Sequence, residues 1–192
     1  MTDTLPQEVT QLPPDILLRV VSDVRYLAGA REMVAGVAKR LGFSHDSSSH
    51  LALAVDEALC NVIRHGYKQD LGRPIWVKIW PLHDDGEHGP GICIVIEDEA
   101  QQIDPSKIQG RDLDDVRPGG LGVHIIRQVV DRAEYAPRQE SGMSLTLVKR
   151  TDGPSAQRTK ALSGGCDDGA CGCDGPSRSA TDQGGSPRSA GG

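Results

Sequence analysis

Glu57 and Asn61 stand four residues apart in the segment SSSHLALAVDEALCNVIRHGY, and a glycine cluster, Gly119-Gly120-Leu121-Gly122, follows some sixty residues later. At ~100° per residue, positions 57 and 61 of a helix project about 40° apart, so a carboxylate and a carboxamide stand side by side. Such a pair can serve a metal ion and a proton acceptor together. Glycines placed ahead of a helix let backbone N–H groups reach phosphate oxygens, and the helix N-terminus adds free donors and a favourable dipole. The two features describe the two ends of an ATP site. Asp98 closes the apolar run ICIVIE, where a carboxylate can accept a hydrogen bond from an exocyclic amine such as that of adenine.

Each feature has an ordinary explanation when taken alone. Glu-x-x-x-Asn suits a solvated helix face, a glycine-rich turn before a helix is common, and aspartate often ends a strand. The glycine cluster is not a P-loop, because no Gly-Lys-Ser/Thr follows it. Nor is it a dinucleotide fingerprint, which needs a strand–glycines–helix unit and an acidic residue on a second strand.

The segmental pattern supplies elements to carry these residues. Residues 15–21 (DILLRVV) read as a first strand, and Ser22 or Asp23 can cap a helix that Gly42 ends. A second helix is expected over 48–67, with Leu51, Val55, Ala58, Leu59 and Val62 as its apolar stripe and Glu57 and Asn61 on its shoulder, roughly 110° away. Alternation of Ile75, Val77 and Ile79 with Trp76, Lys78 and Trp80 predicts a strand over 74–80 with one buried face. Residues 92–97 form an apolar strand, 99–118 a loop, 123–130 a helix, 132–135 a short strand, and Met143, Leu145 and Leu147 alternate through a last one. This order predicts an α+β sandwich, a mainly antiparallel mixed sheet with helices packed on one face.

Composition bounds the rest. A chain of 192 residues with 37% apolar and 25% charged residues has room for one domain and an appendage. From 151 to 192 the only large aliphatic or aromatic residue is Leu162, while ten of the 23 glycines fall there. That stretch cannot bury enough apolar surface to offset its ordering entropy. The folded domain is therefore expected over 12–150, between a mobile 1–11 and a disordered 151–192. A formal charge of −6 disfavours binding to a phosphate backbone, and no apolar run approaches membrane-spanning length or forms a signal peptide, which points to the cytoplasm. Cys60 and Cys93 read as inert apolar side chains. Cys166, Cys171 and Cys173 match no paired C-x-x-C pattern and read as flexible thiols rather than a zinc site.

Taken in order, Glu57-x-x-x-Asn61, Asp98 at a strand end and Gly119-Gly120-x-Gly122 before a helix resemble the N, G1 and G2 boxes of the histidine-kinase-like ATPase superfamily. LAVDEALCNVIRHGY and GGLGVHIIRQVVD are similar to one branch, the bacterial serine-protein kinases that act as anti-sigma factors, and the resemblance covers about residues 15–150. It implies a Bergerat-type two-layer fold, ATP and Mg²⁺ as cofactors, and a sigma factor and an anti-sigma-factor antagonist as partners. A homodimer is implied as well. By residue, it implies that Glu57 is the general base for an attacking serine hydroxyl, Asn61 the magnesium ligand and Asp98 the holder of the adenine amine. Gly119, Gly120 and Gly122 would line the triphosphate, and residues 104–118 would form a lid whose Arg111 or Arg117 reaches the γ-phosphate. Phosphoryl transfer depends mostly on positioning and charge neutralisation, which such a set can supply.

One departure is visible. The family pattern Asp-x-Gly-x-Gly reads here Asp98-Glu99-Ala100-Gln101-Gln102, so both glycines are replaced. If the first glycine supplies a backbone angle or a close approach that alanine resists, ATP binding is weakened. Three functions follow: an ATP-dependent serine kinase that also sequesters a sigma factor, a non-catalytic module of the same fold that regulates by association, and a sensor-kinase fragment or other ATPase. His45 and His50 lie inside the domain and do not serve as an upstream phospho-accepting histidine.

Overall fold

The computed structural model describes residues 7–86, 88–108 and 121–151. Along the chain run α1 (Gln7–Gln11), β1 (Ile16–Val21), α2 (Leu27–Arg40), α3 (His45–Asn61), β2 (Pro74–Leu82), β3 (Gly91–Glu97), α4 (Leu121–Val129), β4 (Arg132–Pro137) and β5 (Met143–Arg150). The five strands form one sheet in the order β1-β2-β3-β5-β4. Every neighbouring pair is antiparallel, so the expected mixed character is corrected: the described residues contain no parallel pairing.

Strand alternation decides which side is covered. Ile75, Val77 and Ile79 on β2 stand with Ile92, Ile94 and Ile96 on β3, all 1% exposed or less, facing Val34 of α2, Leu51, Val55 and Leu59 of α3 and Ile126 of α4. Each such aliphatic side chain contributes roughly 1.5–3 kcal/mol by leaving water. The opposite face carries a smaller cluster of Trp80, Leu82, Cys93, Val95 and Val148. Burial pushes the Cys93 thiol up to about 11, and burial, followed by the charge of Asp56, raises that of Cys60. Both behave as apolar side chains.

Several boundaries differ from the sequence expectations for local reasons. Regular structure is present before Leu12, where α1 places Val9 against the second cluster and the Leu12 carbonyl accepts a hydrogen bond from Trp80 Nε1 at 3.1 Å. Helix α2 starts late, since Asp23 first caps a 3₁₀ turn, Val24–Tyr26. Helix α3 starts early, where the Ser44 hydroxyl accepts from the Ser47 N–H at 3.1 Å. The segment then continues past Asn61 as one π turn, Val62–Gly66, instead of remaining α-helical to Tyr67. Lys68 and Gln69, at φ 51° and 66°, turn the chain out of it. Strand β2 extends to Leu82 because Pro81 and Leu82 still pair with Ile92 and Gly91. Of the expected tail 151–192, Thr151 is buried and donates from its N–H and its hydroxyl to the Pro90 carbonyl at 3.0 and 2.9 Å, while 152–192, with Cys166, Cys171 and Cys173, lie outside the described residues.

Candidate functional site

Helices α3 and α4 pack together, and their junction unites the first and third sequence features. A Cβ at Gly122 would stand 2.7 Å from Glu57 Oε2 and 3.3 Å from Asn61 Nδ2, so only glycine lets the N-terminal turn of α4 approach this pair. Asn61 Nδ2 is buried and has no hydrogen-bond partner among the described residues. A buried amide left unpaired costs about 1–3 kcal/mol, and turning the carboxamide over would present its oxygen to a metal ion instead. These residues therefore fit a hard cation held beside a phosphate group.

From this junction a cavity of about 460 Å³ runs towards the sheet. Its polar markers are Asn61 and Gly122 from the helices and Asp98 from the end of β3, with Val62, Ile96, Ile103 and Leu145 among its apolar walls. That volume and balance suit a small planar ligand with a few anchored polar atoms. Glu57 is half-buried and stands beside the cavity rather than lining it. His65, one turn beyond Asn61, is exposed and lines the cavity.

Asp98 is only 5% exposed. Its Oδ1 accepts from the N–H groups of Ala100 at 2.8 Å and Met143 at 3.1 Å, leaving Oδ2 without a partner among the described residues. Burial pushes its carboxyl above the usual carboxylate range, opposed by those two hydrogen bonds and by Arg138. The hairpin between β4 and β5 closes on this loop at Gly142, where φ is 86° and a Cβ would overlap the Asp98 carbonyl oxygen.

The replaced glycines take a form the sequence did not reveal. Ala100 does not occupy the left-handed region, since the non-glycine residues at positive φ are Lys68 and Gln69. Of the two ways in which alanine was expected to weaken binding, a backbone angle or a close approach, Ala100 itself adopts no glycine-only angle. A Cβ at Gly66 would come within 3.0 Å of the Ala100 methyl, so glycine at 66 makes the space that alanine at 100 occupies. Gln102 donates from Nε2 to the Arg138 carbonyl at 2.5 Å.

Tyr67 was missed by sequence reasoning, although it ends the motif. Its hydroxyl donates to the Pro74 carbonyl at 2.6 Å and accepts from the Glu99 N–H at 2.7 Å, tying the π turn to the Asp98 loop. Arg138 and Gly142 were missed too, and only the turn-like Gly142 left a local signal. The structure thus brings together Glu57, Asn61, Asp98 and Gly122. Gly119, Gly120, Arg111 and Arg117, with most of the expected lid, lie outside the described residues.

Known proteins share this arrangement of sequence. A family model described as a histidine kinase-like ATPase domain matches residues 20–149. The serine-protein kinase RsbW of Halalkalibacterium halodurans is 27% identical over 165 residues, covering 77% of this chain and 96% of that protein. The RsbW of Bacillus subtilis is 25% identical over 146 residues, covering 72% and 86%. A crystal structure of the RsbU and RsbW domains of a Mycobacterium tuberculosis protein superposes with a TM-score of 0.48 at 17% identity, over 74% of this chain and 34% of that one.

Proposed function

The chain belongs to the histidine kinase-like ATPase domain family, and from that premise we propose that it is an ATP-dependent serine kinase and anti-sigma factor whose substrate is an anti-sigma-factor antagonist. The observation that carries this reading is the packing of Gly122 against both Glu57 and Asn61 at one end of a cavity marked by Asp98 elsewhere on its wall. Asp98 Oδ2 receives the adenine amine, while the apolar walls exclude water from the ring. Gly119, Gly120 and Gly122 present backbone donors to the phosphates, and Arg117 meets the terminal one. Asn61 holds magnesium, which when bound neutralises phosphate charge and aligns the transferred group. Glu57 takes the proton of the substrate serine as its oxygen attacks the γ-phosphorus, and ADP departs with the bond electrons.

The described residues include no helix long and apolar enough to cross a membrane, and we place the protein in the cytoplasm with its protein partners. A homodimer is part of the same proposal. A second reading, a partner-binding module without catalysis, draws on the Ala100 methyl in the cavity wall.

Calorimetric titration with ATP and magnesium separates the two. The parent chain is expected to bind, and Asp98→Ala to lose at least about tenfold in affinity, in line with removal of a hydrogen bond to a charged group. No heat of binding from the parent would overturn the kinase reading and leave the module.

Affinity should also depend on pH. Both N–H bonds occupy Oδ1, so a proton on Asp98 must sit on Oδ2 and turns the oxygen facing the amine into a donor. Because burial raises the Asp98 pKa above 3.8, ATP affinity is expected to fall as pH drops through a midpoint above that value. Titrations between roughly pH 4 and pH 7 check the midpoint. The same shift makes ionised Asp98 a cost to folding that protonation relieves at low pH, so this titration by itself does not unfold the chain.

A further inference from the structure

Arg138 stands where the two faces of the sheet meet. It follows the last β4–β5 pair, Pro137↔Met143, and its N–H donates to the Gly142 carbonyl at 3.1 Å, so the hairpin fixes its backbone. Its side chain reaches in three directions. Nη1 donates to the Asp98 carbonyl at 2.6 Å, Nε lies 3.5 Å from Glu97 Oε2, and the guanidinium carbon sits 5.3 Å from the centre of the Trp76 ring. Trp76 and Glu97 are cross-strand partners on the sheet face turned away from the helices, and Glu97 also accepts from Lys78 Nζ at 2.7 Å. The Arg138 carbonyl receives Gln102 Nε2. One residue therefore holds both ends of the loop 98–102.

We infer that Arg138 is a positioning residue for Asp98 and couples the nucleotide cavity to the outer face of the sheet through Trp76 and Glu97. This rests on the reading of the cavity as an ATP site. An aspartate aimed before the base arrives needs no ordering on binding, and that saving appears as affinity. The fork-shaped guanidinium can donate to the Asp98 carbonyl while staying over the Trp76 ring, which a lysine ammonium cannot reproduce. A ligand bound to the Asp98 carboxylate changes the charge that Arg138 faces, and that change reaches the Trp76 ring beneath the guanidinium without moving the loop.

The test uses the full chain with ATP and magnesium. Arg138→Ala is expected to raise the Kd about tenfold, and Arg138→Lys to recover part of the loss, while the nucleotide-free melting temperature moves by no more than about 4 °C. Tryptophan emission supplies a second readout, since Trp76 and Trp80 are the two tryptophans. ATP is expected to change the emission of the parent, and the change to vanish in Arg138→Ala and in Trp76→Phe. Parent-like affinity in Arg138→Ala overturns the positioning role, and an emission change that survives Trp76→Phe overturns the coupling. Should Arg138→Ala fail to fold, a folded Arg138→Lys with the parent's affinity overturns the proposal. A parent that binds no ATP removes the cavity reading itself, a result distinct from a parent that binds and a variant that binds equally well.

Discussion

Glu57→Ala is expected to slow phosphate transfer to the substrate serine by about 10³-fold while ATP affinity stays within about twofold, the behaviour of a residue acting in the transition state alone. The geometry makes the two effects separable. Glu57 stands beside Gly122 but does not line the cavity, so truncation leaves the base pocket and its walls intact. It also removes a carboxylate from the neighbourhood of the phosphates, which favours binding if it changes it at all. Single-turnover transfer to a purified antagonist protein, with calorimetry on the same preparation, measures both quantities. Transfer at the parent's rate would remove Glu57 from the chemistry and leave another group to accept the serine proton.

Gly142→Ala is expected to destabilise the fold by about 3 kcal/mol or more, a value reached only by a few mechanisms. Two of them operate here. The residue holds φ at 86°, which costs a side chain roughly 1–2 kcal/mol, and the added methyl would overlap backbone atoms of Asp98 and Glu99, which cannot swing aside as a side-chain tip can. Gly72→Ala provides the control. Its φ is 82° but nothing lies within 4 Å of the new Cβ, so it should lose only the conformational part, roughly 1–2 kcal/mol. Urea unfolding of both variants gives the difference that belongs to the close approach. Equal losses would mean that the hairpin yields freely and that the Asp98 loop is not held by it.

The parts of the fold legible in sequence were those written in local periodicity. Alternation at Ile75, Val77 and Ile79 marked the buried face of β2, and the 3.6-residue recurrence of Leu51, Val55 and Leu59 marked the core stripe of α3. The candidate set could be proposed because Glu57 and Asn61 lie on one shoulder of one helix, and because glycines before a helix have a recognisable use. What stayed hidden depended on distant partners. The tie from Arg138 to Asp98 spans 40 positions and leaves no periodic trace. Ala100 beside Gly66 is a mutual fit that neither residue announces alone. Antiparallel pairing throughout was likewise undetermined, because two apolar strands of this length pair in either sense. The π turn after Asn61 depends on Tyr67 finding both Pro74 and Glu99, which is again a matter of tertiary contact.

The position of β5 bears on how such a chain is made. Although it is the last described strand, it lies inside the sheet between β3 and β4, and its Met143 and Leu145 line the cavity. A chain emerging from the ribosome can pair β1, β2 and β3 early, but it leaves the inner edge of β3 open until residue 150 is available. The connections closed along the way, from β1 to β2 through α2 and α3 and from β3 to β5 through α4 and β4, are long ones, which slows assembly. A nascent or truncated chain that stops short of β5 would thus expose the β3 edge to other strands and would also lack the wall beside Asp98. For this protein, the wall of the cavity and the cover over the β3 edge arrive with the same eight residues.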